Sequence, residues 1–138
     1  MRQFSVLAAS LVLACAVQAQ EAAVQAAVDE AVSVHAIATA ARLCGIISET
    51  GLVRATSRMD RVHATQLTPG QQETYLIVRG SDSFRNMVFA SALRRAQGNC
   101  SDPELVAVWS DVNATLIQAD LTSGLGGATR TLGGAPAQ

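Results

Sequence analysis

Residues 21–43 read EAAVQAAVDEAVSVHAIATAARL, and the fold depends on how this stretch is taken. Alanine, the strongest helix former, dominates it, Pro and Gly are absent, and Val24, Val28 and Val32 recur at every fourth position. The pattern predicts one long helix whose small side chains let a neighbouring helix approach closely. Gly45 marks its kink or its end. Ser48-Glu49-Thr50-Gly51, after the apolar pair Ile46-Ile47, reads as a helix end.

Downstream, Leu52, Ala55, Met59 and Val62 fall at three- and four-residue steps and predict a second amphipathic helix over 52–66. Thr68-Pro69-Gly70-Gln71 is the clearest local signal in the chain: Thr68 can cap, Pro69 suits the first helical position, and Gln71 completes a capping box. A third helix over 69–79 stops at Gly80, and a fourth runs from near Asp82 to Gly98 with Arg94 and Arg95 in its last turn. Ser101-Asp102-Pro103-Glu104 repeats the capping logic for a last helix carrying Leu105, Val108, Trp109, Val112, Leu116 and Leu121, ended by Ser123-Gly124. The remainder, GLGGATRTLGGAPAQ over 124–138, is Gly/Ala-rich with a short internal echo and reads as a disordered tail. No stretch alternates as a strand between hairpin turns. The fold class expected is all-α, a small bundle of four to five helices over residues 20–123.

Upstream, MRQFSVLAASLVLACAVQAQ has the three parts of an export signal. Arg2 gives the positive start, Phe4 and the residues to Ala16 an apolar stretch, and Val17-Gln18-Ala19 the small residues a signal peptidase needs. The apolar stretch is short of the ~18 to 20 residues needed to span a bilayer. Asp29 and Glu30 interrupt the Ala/Val-rich region after it, so no transmembrane span is expected. Residues 1–19 are therefore taken as a signal peptide, which places the protein in a periplasm or outside the cell. The alternative is a lipid anchor on Cys15, since Val12-Leu13-Ala14-Cys15 loosely matches the lipoprotein pattern. Export leaves Cys44 and Cys100, an even pair in an oxidising compartment and without a thiolate-stabilising CxxC or Cys-His arrangement; one structural disulfide is expected, tying the end of the first helix to the start of the last.

Composition narrows the function classes. The 138-residue chain is 49% apolar and 15% charged with a net charge of -1, which excludes a disordered polyelectrolyte and argues against general nucleic-acid binding. Beyond the signal the aromatics are Tyr75, Phe84, Phe89 and Trp109, not interleaved with basic residues as an oligonucleotide platform requires. There is no Lys, which removes Schiff-base chemistry and the phosphate-gripping Lys of a Walker loop, and no Gly-x-Ser-x-Gly. Asp60 and His63 share a helical face at a spacing that could ligate one ion, but two ligands fall short of a site; His35, among Ala and Val, reads as a half-buried structural residue. No metal, cofactor or catalytic set is expected.

The patterned surface is basic. Arg54, Arg58 and Arg61 lie at i, i+4 and i+7 along the second helix, within a stretch over 42–95 that holds eight Arg against four acids. They form either a surface for an anionic partner or an internal match to the acidic first and last helices. Leu67-Thr68-Pro69-Gly70-Gln71 resembles the Leu-Thr-x-x-Gln motif of Spy-like periplasmic chaperones, which are helical and exported, although the capping box accounts for the same residues. The general plan is similar to the acid-activated periplasmic chaperones of the Hde type, without a shared motif. Neither resemblance assigns a functional residue. The function expected is a non-enzymatic helical domain that binds another envelope or secreted protein, as a chaperone, inhibitor or immunity-type partner, with self-association through the first helix as one form. The alternatives are a small envelope hydrolase using His63 or His35 as base, and a structural component of a surface assembly.

Overall fold

A computed structural model describes residues 4–98, 100 and 103–133, with side chains for residues 15–97, 100 and 103–124. Among the described residues there are five helices and no strand: α1 (Phe4–Leu43), α2 (Glu49–Gln66), α3 (Pro69–Arg79), α4 (Asp82–Gly98) and α5 (Pro103–Gly133). None is long and apolar enough to cross a membrane.

The C-terminal half of α1 is the axis of the bundle. It packs against all four other helices, while α2 also packs on α5 and α3 on α4. A helix enclosed on several sides cannot keep a polar face, and from Ala31 to Ala41 only Val32, Ser33 and Thr39 escape full burial. Ala31, Ala36, Ala38, Ala40 and Ala41 are wholly inaccessible, so close approach of the neighbours is set by methyl groups. Around them α2 contributes Ala55, Met59 and Val62, α3 Tyr75, α4 Phe84 and Val88, and α5 Trp109 and Leu116.

At its other end α1 leaves the bundle. Residues 15–22 are exposed and the core begins at Val24. The expected signal, residues 1–19, continues in the same helix from Phe4; residues 1–3 and the side chains before Cys15 lie outside the described ones, and Cys15 is an exposed free thiol.

Gly45 terminates α1 and does not kink it. Its φ of +72° is the left-handed conformation that glycine adopts without strain, and both Schellman bonds are present: Gly45 N–H to the Arg42 carbonyl at 3.1 Å and Ile46 N–H to the Ala41 carbonyl at 2.8 Å. Ser48-Glu49-Thr50-Gly51 is then the beginning of α2 and not a helix end. Ser48 is an N-cap whose hydroxyl accepts from Gly51 N–H at 3.1 Å, and Glu49 adds an acid to the first turn. The capping box at Thr68 and Gln71 forms as expected, with Pro69 opening α3. Ser81 caps α4, accepting from Phe84 N–H at 3.2 Å.

The last helix differs from expectation at its end. Ser123-Gly124 does not stop it, and the backbone of the expected disordered tail, 124–138, is helical to Gly133. Each glycine costs a helix about 1 kcal/mol relative to alanine but removes no hydrogen bond, and the next Pro is Pro136. Residues 134–138, and Ser101-Asp102 of the expected cap, lie outside the described residues.

Cys44 and Cys100 form the expected disulfide, with a Cα–Cα distance of 5.0 Å across a sequence separation of 56. Cys44 packs beside a small second core of Ala40, Ala92 and Leu105, so the bridge holds the end of α1 against α4 and α5.

Candidate functional site

Three helices bring polar side chains to one place inside the bundle. On α2, Asp60 and His63 stand three residues apart on an inward face; α1 presents Glu30 and His35, and α3 presents Tyr75 and Arg79. His63 is wholly buried, and its Nε2 lies 3.1 Å from Glu30 Oε2. An ionised carboxylate only accepts, so in this pairing Nε2 carries a proton, and Nδ1 is left buried without a partner. The His63 ring meets Tyr75 edge to face, with centroids 4.9 Å apart. Tyr75 donates its hydroxyl to Asp60 Oδ1 at 3.2 Å, and Arg79 Nε approaches the same oxygen to 2.6 Å as an ion pair, off the line of a proper hydrogen bond. Burial, then the Asp60 charge and hydrogen bond, push the Tyr75 phenol well above its ordinary range.

His35 sits one step further along. Its ring packs edge-on against Phe84 at 5.3 Å, and its Nε2 is buried without a partner. Burial above all, then the Arg79 charge, hold its pKa down at about 4, against the opposing pull of Asp60. At neutral pH it is an uncharged imidazole. With Thr39, Arg79, Gly80, Phe84, Arg85 and Phe89 it lines an open groove of about 540 Å³ at the α3–α4 turn.

The arrangement is well suited to holding three helices in register. Among the described residues the ring partners of His63 are a carboxylate and an aromatic face, and the Tyr75 hydroxyl beside it is committed to Asp60. The Asp60–His63 pair does not converge on an ion position. Asp60 turns to α3 and His63 to α1, and no group of three or more His, Cys, Asp or Glu among the described residues could hold a metal.

The arginine stripe lies elsewhere, between α2 and α5. Arg61 makes a two-pronged bond to Asp120, Nε to Oδ1 at 3.0 Å and Nη2 to Oδ2 at 2.8 Å, while Arg58 Nε stands 3.9 Å from the same carboxylate. Those bonds hold Asp120 below the usual carboxylate range. Arg54, Arg58 and Arg61 together line a second groove of about 400 Å³, with Val53 and Ser57. Two of the three arginines therefore face an acid of the chain's own last helix. Glu30, Tyr75, Arg79 and Asp120 are not singled out by the sequence. The signal for two of them is Tyr75 and Arg79 at i, i+4 on a short helix that has little else to bury.

No family model, no curated protein and no solved structure matches the chain.

Proposed function

We propose that this chain is an exported, non-enzymatic helical domain that binds other proteins through the surface of the α3–α4 hairpin. One observation carries the reading: α3 buries a single residue, Tyr75, while the adjoining Leu76 and Ile77 are left 56% and 68% exposed. Met87 and Phe89, on α4, are 45% and 53% exposed, so large apolar side chains concentrate between 76 and 89. Single exposed apolar residues are ordinary, but Leu76 and Ile77 on α3, with Met87 and Phe89 on the two flanks of α4, give this hairpin the Phe and Met content favoured in protein-binding surfaces. The export half of the reading is supported by the onset of the core at Val24: among the described side chains, none of residues 15–19 belongs to it. The disulfide is consistent with an oxidising compartment.

The test is a photo-crosslinking amino acid at position 77, compared with one at the exposed Asp111 on α5, in cells making the full chain. Adducts with exported proteins specific to position 77 are expected. Equal or absent crosslinking at the two positions, or a product confined to the cytoplasm, overturns the reading.

A second reading, a small envelope hydrolase, is favoured by the Glu30–His63 contact, in which a carboxylate orients an imidazole. Replacing both His35 and His63 by Gln without loss of the cellular phenotype eliminates it.

A further inference from the structure

We infer that the groove at the α3–α4 turn selects partner segments in which a carboxylate stands next to an aromatic or branched apolar side chain. This rests on the protein-binding reading and adds the chemistry of the partner. The groove is walled by α1, the end of α3 and the first half of α4. Its apolar surface comes from Phe84, Val88 and Phe89, and its charged groups are Arg79 and Arg85; no acid belongs to the lining. Phe89, which lines the groove, is itself 53% exposed, so a bound segment can reach its ring.

The two arginines are fixed differently. Arg79 is anchored by Asp60 at the inner end. Arg85 bonds the Gly80 carbonyl at 3.1 Å, which holds its guanidinium over the turn, and it pairs with Asp82. Both members of that pair are mostly exposed, at 65% and 86%, so a solvated partner carboxylate can replace Asp82 at little cost. The Gly80 bond meanwhile keeps Arg85 in place for a charge-assisted contact. His35, 7% exposed and with an unpartnered Nε2, lies in the same lining and at neutral pH adds no charge that would repel Arg79. The arginine stripe of α2 lacks this combination. Its groove has no aromatic surface, and Asp120, which holds Arg58 and Arg61, is only 24% exposed where Asp82 is 86% exposed.

The experiment is fluorescence anisotropy with two labelled dodecapeptides of identical apolar residues, Leu and Phe, alternating with Glu in one and with Gln in the other. The protein is the disulfide-bonded chain, as wild type and as Arg85→Gln, Arg79→Gln and Arg54→Gln. The Glu peptide is expected to bind about tenfold more tightly than the Gln peptide. That preference should disappear in Arg85→Gln and survive in Arg54→Gln. Arg85 is exposed and outside the core, so its variant folds even if Arg79→Gln does not, and circular dichroism confirms the fold of each. Equal affinity for the two peptides, or a preference that survives Arg85→Gln, overturns the inference while leaving protein binding intact. Failure of both peptides together with absent crosslinking at position 77 overturns the two together.

Discussion

His63 Nε2 rests 3.1 Å from Glu30 Oε2, yet the imidazole is wholly buried while the glutamate is 58% exposed. A solvated acid on α1 thus answers one of the two polar needs of a core side chain on α2, the ring's Nδ1 being left without a partner. The consequence is asymmetric. Glu30→Ala removes an exposed charge but orphans a buried N–H, and should destabilise the fold by about 1–3 kcal/mol. Glu30→Gln keeps an acceptor and should cost less than half of that. Urea midpoints of the two variants at pH 7 distinguish them.

Acid sensitivity should come in large part from His35. Its folded pKa of about 4 lies below the ordinary 6.5, so the unfolded chain binds more protons between those values. Stability from this group is complete above pH 6.5 and is lost as pH falls toward 4, by ~3 kcal/mol in all. The groups that act on it are Arg79 on α3, Asp60 and His63 on α2, and the apolar edge of Phe84 on α4. His35→Leu should flatten the stability profile across that window. Denaturant unfolding at pH 7, 5.5 and 4.5 reads the difference.

Reducing the Cys44–Cys100 bridge releases a loop closed over a separation of 56 residues. In the chain-entropy picture the loss is ~4 kcal/mol, enough to lower the melting temperature by about 15–25 °C in a domain of this size. Thermal melts with and without reductant, and of the Cys44→Ala/Cys100→Ala variant, should agree with each other.

The axis of the bundle has no room for growth. Ala38 is wholly inaccessible, so Ala38→Leu should cost at least about 1–3 kcal/mol through forced displacement of a neighbouring helix. Ala26→Leu, on the exposed side of the same helix, should stay within about 0.5 kcal/mol. Chemical denaturation of the pair measures how tightly α1 is enclosed.

Asp120 offers a contrast. Its two-pronged bond with Arg61 is at the surface, where such pairs contribute about 0–1 kcal/mol. Asp120→Asn should therefore change stability little, and most of the change should vanish in about 1 M salt.

Local chemistry is legible to the residue; long-range assembly is not. Thr68, Pro69 and Gln71 fix the start of α3 within four positions, and the structure has the box they imply. The alanine content of 21–43 announces close helix packing, and α1 proves to be the helix that all others touch. Ser48-Glu49-Thr50-Gly51 misleads because Ser and Glu suit a helix start as well as Gly suits a stop. The choice falls to Gly45, whose Schellman turn has already ended α1. The polar cluster is invisible for a different reason. Glu30, Asp60, His63, Tyr75 and Arg79 come from three helices, and no one-dimensional spacing relates residues that meet only when the helices pack. Asp120 stands 59 residues from the Arg61 it binds, so charge balance can suggest an acidic counterpart without naming it.

The enclosed position of α1 also dictates an order of events. The central helix is made before the four that enclose it, and its alanines offer almost no grip until those segments arrive. Tyr75, Phe84 and Trp109, which supply the bulk that clasps it, come well behind, and the thiol of Cys44 waits for a mate made 56 residues later. The central rod is fully enclosed only when all four staves around it exist, and a newly made chain interrupted before Cys100 lacks both the bridge and the bulk of Trp109.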